Sequence, residues 1–320
     1  MTTPAELEYE FRRQVVSGAM TLPDPACGQT ARRHELLMEI GRADLQMARV
    51  AEAHTDAISI LHEAGRSERP AQLYGVWAAE DPSCRLALLD SGCAGRLVLS
   101  GTKAFCTGAA LLDRALVTVR RDDVAYLLDI DVRDPRVTFD SSTWRASAFD
   151  ATLTSVATFD NLEIGEGEMV GEPGWYLDRV GFWHGACGPA ACWAGGAIGL
   201  ADDAIRVARQ KSEDPHRDAN IGALAALRWQ LLALLTAAGD EIDREPDDFG
   251  EAMQRALMLR HNVERAATAI VDLYGRALGP RPLIQDAAII RRIAEVQLYI
   301  RQHHDEHDLA SIGRELRRTT

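Results

Sequence analysis

Residues 96–119 read RLVLSGTKAFCTGAALLDRALVTV, and this stretch decides the fold. Leu97 and Leu99 alternate with other residues as one face of a strand. Gly101-Thr102-Lys103 reads as a tight turn. Residues 104–109 form a short edge with small polar groups, and residues 115–119 are a second apolar strand. The expected unit is a hairpin whose edge carries Phe105, Cys106 and Thr107.

The same pattern extends on both sides. Short apolar runs at 75–77, 85–89, 124–130, 137–139 and 156–159 are separated by turn signals such as Asp122-Asp123 and Arg133-Asp134-Pro135. Residues 71–171 are therefore expected as an all-β block. Before it, apolar residues recur every three or four positions from Leu36 to Leu61, the period of a helix pair. After it the helical period returns, with helices expected at about 178–211, 217–243, 249–278 and 286–304. Asp214-Pro215, Glu245-Pro246 and Gly279-Pro280 break them. The expected domains are a short N-terminal helical domain at 1–70, a β-barrel-like domain at 71–171 and a C-terminal four-helix bundle at 172–320. The class is α+β, mainly α.

Bulk properties narrow the function. The chain has 320 residues and a net charge of −13, which speaks against nucleic acid, since phosphate binding needs a basic face. No GxGxxG follows a strand and no GxxxxGK[ST] occurs, so neither a dinucleotide fold nor a P-loop is supported. The N-terminus carries no apolar signal segment, and the six cysteines form no CxxC pair. Reduced thiols in the cytoplasm are the expectation. Residues 181–200 lack Asp, Glu, Lys and Arg, but Gly, Ala, His184 and Pro189 make them a tightly packed helix rather than a membrane span. His303 and His307 share a helical face, yet two ligands do not make a metal site.

The hairpin resembles the flavin-facing hairpin of the acyl-CoA dehydrogenase family, with Lys103, Phe105 and Thr107 at the positions of that family's Lys, aromatic and Ser/Thr. Three further segments are similar: Trp144 to Ser147 with Thr158 to Ile164 and Met169 to Gly171; Leu177-Asp178-Arg179 before a small-residue helix; and Tyr274-Gly275 with Asp286. The resemblance implies N-terminal helices, a central β-domain and a C-terminal bundle, FAD as cofactor, and a homodimer or homotetramer. It implies cofactor contacts at Trp77, Ala79, Phe105, Cys106, Thr107, Arg217, Tyr274 and Gly275. It also marks departures. Ala79 stands where a Thr is usual, residues 218–222 replace the pyrophosphate motif with Arg217 one place off, and Ala294 stands where the common catalytic Glu is expected.

Acyl-thioester dehydrogenation needs a base at the α-proton and a hydride acceptor at the β-carbon. A buried carboxylate suits the base because desolvation raises its pKa. Asp178 is the first candidate, against the reading of an exposed acid in a first helical turn. Glu295 is the second, against an i,i+4 partner of Arg291. Arg179 and Trp183 are candidates for substrate contact, with an ion pair and a core position as the competing readings. The leading expectation is an acyl-CoA dehydrogenase-like flavoprotein acting on an acyl-CoA or acyl-carrier-protein thioester, with an electron-transfer flavoprotein as partner. The alternatives are a flavin-dependent monooxygenase on the same fold and a non-catalytic structural or binding subunit.

Overall fold

The structure is a computed structural model and describes residues 3–92 and 96–317. Cys93 lies outside the described residues. The chain divides into two units by its internal contacts. One takes residues 49–182 together with the N-terminal segment up to Leu22, and the other takes Pro23–Ala48 and everything from Trp183 on. The first seventy residues, expected as one helical domain, are thus shared between the two.

The first unit is built on a mixed seven-stranded sheet. Its strands are β1 (Tyr74–Trp77), β2 (Leu86–Asp90), β3 (Leu97–Cys106), β4 (Arg114–Arg121), β5 (Val124–Asp131), β6 (Val137–Asp140) and β7 (Ser155–Ile164). The order is β1-β4-β2-β3-β7-β6, with β5 pairing β4. Every apolar run read from the sequence is a strand, but the expected hairpin is not there. β3 and β4 are separated by β2, and β3 pairs antiparallel with β7, Leu97 opposite Ile164 and Lys103 opposite Ala157.

Gly101 is the reason. It sits inside β3 at φ +116, and a Cβ there would lie 3.1 Å from the Arg85 carbonyl carbon. The glycine serves a bulge where the pairing to β7 shifts, not a turn, and the strand runs on to Cys106. Helix α1 (Pro4–Val16) opens with a capping box between Thr3 and Glu6 and with Pro4 at its first position. Arg12 of α1 holds Asp113, whose carboxylate also accepts from the Leu73 N–H. Ile60, Leu61, Tyr74, Leu116, Leu127, Val170 and Tyr176 form one apolar core within this unit.

The second unit is helical. It contains α2 (Thr30–Ala43), α6 (Cys187–Ala208), α7 (Pro215–Arg244), α8 (Phe249–Leu278), α9 (Arg281–Gln285), α10 (Ala287–Tyr299) and α11 (Glu306–Leu316). The divisions between units fall inside α3 (Leu45–Glu63) and α5 (Gly181–Gly185); a short α4 (Trp175–Asp178) precedes α5. Three of the expected long helices, α7, α8 and α10, start near the breaks read from the sequence, whereas the one expected at 178–211 is α6, which begins only at Cys187 after two short helices. Asp214, Asp248 and Asp286 cap α7, α8 and α10 with their carboxylates. The short α9 and the terminal α11 have no counterpart in the sequence reading.

Segment 181–200 is core, as its glycines and alanines suggest. Gly41 of α2 and Gly195 of α6 bring the two backbones together: a Cβ at Gly41 would lie 2.5 Å from Cys192 O, and one at Gly195 2.7 Å from Arg42 N. Among the described residues the helix long and apolar enough to cross a membrane is instead α7, with 22% of its apolar window buried. Leu224, Leu231, Leu235 and Ile242 face inward, while Trp229 stands 73% exposed.

Gly195→Ala is expected to destabilise the second unit by about 1–3 kcal/mol, because the added methyl meets backbone that cannot move aside. Thermal and urea unfolding measure this, and an unchanged midpoint would show that α2 and α6 yield.

Candidate functional site

The end of β3 and the loop after it carry the candidate site. Thr107 is held on several sides within the first unit. The Trp77 indole N–H donates to its carbonyl at 3.0 Å, and the Gly108 N–H donates to Thr152 O at 2.8 Å. The Arg49 guanidinium, from α3, donates Nε–H and Nη2–H to the Thr107 hydroxyl at 3.3 and 3.2 Å. The same guanidinium lies over the rings of Phe149 and Trp144, 4.9 and 5.6 Å from their centroids. The Thr107 Oγ1 also lies 3.2 Å from Thr154 Oγ1, which is 3.3 Å from Thr152 Oγ1, and Thr152 donates to Phe149 O at 2.8 Å.

The other residues of this strand differ in burial. Lys103 is buried and donates from Nζ to the Thr118 carbonyl and hydroxyl at 2.9 Å each, tying β3 to β4. Burial holds its pKa below the ordinary lysine value. Cys106 is fully buried, and burial pushes its thiol up to about 12, so it supplies no thiolate. Phe105 projects from the strand at φ +56 and is 55% exposed. Trp77, expected as a cofactor contact, is buried edge-on against Phe139, and its indole N–H reaches the Thr107 carbonyl. Ala79 lies exposed in the loop after β1.

α3 is fixed to β1 by His54. The Tyr74 N–H donates to His54 Nδ1 at 3.1 Å, so that nitrogen is unprotonated, and the Phe11 ring packs edge-on against the imidazole at 5.5 Å. This anchor lies one and a half turns beyond Arg49 on the same helix.

The two base candidates fare differently. Asp178 is exposed at the end of α4, without the desolvation a thioester base requires. Glu295 is 3% exposed, and Arg291 Nε stands 3.8 Å away, the i,i+4 pair of the competing reading. Glu295 and Arg291 line a cleft of about 420 Å³ in the helical unit that also takes in Asp203 and Asp286. Asp203 accepts from the Tyr274 hydroxyl at 2.7 Å, so Glu295, Asp286 and the partner of Tyr274 come together there.

Arg179 is buried and ion-paired with Glu63, over Tyr176 and Trp175 at 5.2 and 5.5 Å. Its Nε finds no hydrogen-bond partner among the described residues. Trp183 packs edge-on against Phe249. Arg217 is in the first turn of α7, where its guanidinium bonds Ser212 O. Gly275 lies within α8 rather than in a turn; the turn comes at Gly279, whose φ is +74. No three ligating side chains converge on one point among the described residues.

No family model matches this chain, and no curated protein matches it. Solved structures do. The dibenzothiophene monooxygenase TdsC of Paenibacillus sp. A11-2, solved with FMN and indole, superposes with a TM-score of 0.79 at 17% identity, over 97% of this chain and 94% of that one. A nitrososynthase from Micromonospora carbonacea var. africana gives 0.77 at 19%, over 93% and 85%. The methanesulfinate monooxygenase MsuC of Pseudomonas fluorescens gives 0.77 at 15%, over 99% and 96%. The chain has the acyl-CoA dehydrogenase-like fold.

On this acyl-CoA dehydrogenase-like fold the residues around Thr107 suit a planar ring with carbonyl or anionic edges. The guanidinium supplies N–H donors and charge, the half-buried Trp144 supplies a flat apolar face, and Phe149, fully buried, backs the guanidinium. Sequence reasoning found Thr107 but missed Arg49, Phe149, Thr152 and Thr154. Arg49 sits in a helical run of Met47, Ala48, Val50 and Ala51, all buried, and a cation in such company was the available signal.

Stability is expected to fall between pH 6.5 and about 4. Burial lowers the pKa of His54, and of His34 in the other unit, to about 4, so the unfolded chain binds protons that the folded one refuses. Stability is complete above 6.5 and is lost as pH falls through that window. His54→Gln should flatten the dependence, as followed by urea unfolding at pH 7, 6 and 5; an unchanged slope would remove His54 as a cause.

Proposed function

We propose that this chain is a flavin-dependent oxidoreductase of the monooxygenase kind, taking a flavin at the Thr107 face. The likeness to TdsC and MsuC, both named monooxygenases, supports the class. FMN in TdsC and in the sugar-bound KijD3 structure supports the mononucleotide over FAD. The observation that carries the choice against acyl-thioester dehydrogenation is the state of its two base candidates: Asp178 is exposed, and the buried Glu295 faces Arg291 one turn away on its own helix. A carboxylate in water is too weak a base for an α-proton. Oxygen insertion needs no such base: one atom of dioxygen enters the substrate and the other leaves as water, with two electrons from the flavin and two protons. The flavin supplies that redox chemistry when bound. The chain's own part is to orient it, with Thr107 fixed through Trp77 and Arg49 giving donors and charge.

The acyl thioester and the electron-transfer flavoprotein belong to the dehydrogenase reading, and a binding subunit would take no flavin. FMN is expected to bind with a perturbed visible spectrum. Under anaerobic conditions a panel of acyl-CoAs should leave that spectrum unbleached. Bleaching that Glu295→Gln abolishes would restore the dehydrogenase; no binding of either flavin would leave the binding subunit.

A homo-oligomer is part of the same proposal. The outer face of α7 carries Ala225, Ala226, Trp229, Ala233 and Ala237, all exposed, an apolar surface suited to a second copy of this chain. Trp229→Glu should shift the mass in light scattering toward the monomer. An unchanged assembly would place the interface elsewhere.

A further inference from the structure

His303 and His307, read from the sequence as one helical face, are set apart in the structure. His303 follows the turn at Ile300–Gln302 and precedes α11, and its imidazole is fully buried. Its Nε2 lies 3.4 Å from His261 Nδ1 of α8, with the ring centroids 5.5 Å apart. Its Nδ1 lies 3.0 Å from the carboxylate of Asp308 in α11. Asp308 is itself buried and accepts the His304 N–H at 3.1 Å. The other charged groups that face His303 are Arg260 of α8, which donates to Gln302 O at 2.6 Å, and Asp305, 4.0 Å away. Glu264 of α8 is bonded to Arg301, and the exposed His304 has its Nδ1 3.6 Å from Asp308.

Little else holds α11. It has 11 residues, too few to persist as an isolated helix. Its buried residues are Asp308 and Ile312, while Leu309 and Leu316 are exposed. Asp305 enters it at φ +43 and ψ −117, a strained backbone for a residue with a Cβ. Between the two imidazoles one nitrogen donates and the other accepts, so a single N–H fits there. With both rings protonated, two N–H groups face each other across that gap, and the buried ring has no water to turn to. We propose that α11 is an acid-released latch, docked while a single N–H lies between His261 and His303 and freed when both rings are charged. Burial, against the pull of Asp308, holds the His303 pKa below its ordinary value. The docked state thus refuses a proton that the freed segment takes up near pH 6.5. Docking is complete above that pH and is lost as the pH falls below it. Release bares the α8 face that carries His261.

Hydrogen exchange of the full chain, followed by mass spectrometry at several pH values on both sides of 6.5 and corrected for the intrinsic exchange rate, tests this. For one refused proton, protection of residues 306–316 should fall about tenfold per pH unit below the histidine's ordinary value. His303→Gln keeps a neutral donor and acceptor, and should abolish that fall while leaving the pH dependence of α10, in the same unit, as it is in the wild type. If α11 is already loose in His303→Gln at neutral pH, His261→Gln, changed at the half-buried ring, decides instead. No fall in the wild type, or a fall that survives in the variant, overturns the proposal. So does a loss of protection that the variant alters equally in α10 and α11, since that is unfolding of the unit rather than release of one helix.

Discussion

The passage of β3 through Gly101 is the constraint on which the site depends. A side chain at this position would press on the Arg85 carbonyl, and its backbone lies where residues with a Cβ rarely go. Because glycine is there, the strand bulges and continues instead of turning back. Five residues of additional strand carry the chain to Cys106, and Thr107 follows directly. With a true turn at Gly101, Thr107 would leave the neighbourhood of Trp77, Thr154 and Arg49. Lys103 reinforces the extension from inside the sheet by binding Thr118 on β4, a strand that is not a direct neighbour of β3.

Much of the fold was legible in the sequence because period and punctuation are local. The strands emerged from short apolar runs, and α8 was bounded at Phe249 and Leu278 between the Glu245-Pro246 and Gly279-Pro280 breaks. What failed was pairing. Glycine marks an unusual backbone angle, and the same angle serves a hairpin turn or a bulge; only the partner strands decide between them. β2 inserts between β3 and β4 through a register that no run of residues announces.

The site was legible in part, and for a related reason. Thr107 was found by resemblance, whereas Arg49, fifty-eight positions earlier, is recognised only when α3 is laid beside the strand. The carboxylates were ranked by motif position, and burial reversed the ranking: Asp178 lies in water while Glu295 is enclosed beside Arg291. Arg179 was read as either a substrate contact or half of an ion pair, and the structure pairs it with Glu63. For Arg49 and Arg179 the partner lies far away in sequence, and for the carboxylates it is burial, equally invisible in one dimension, that separates them.

The threonine series behind Thr107 behaves as a single object. Three hydroxyl dipoles point head to tail from a cation to a carbonyl, and each polarises the next. None can rotate alone without leaving a donor facing a donor. The row thus has one orientation and no alternative of comparable energy, which lends the loop a stiffness that its irregular backbone would not have by itself. Because neighbouring hydroxyls share bonds, the costs of losing Thr107, Thr152 and Thr154 will not add.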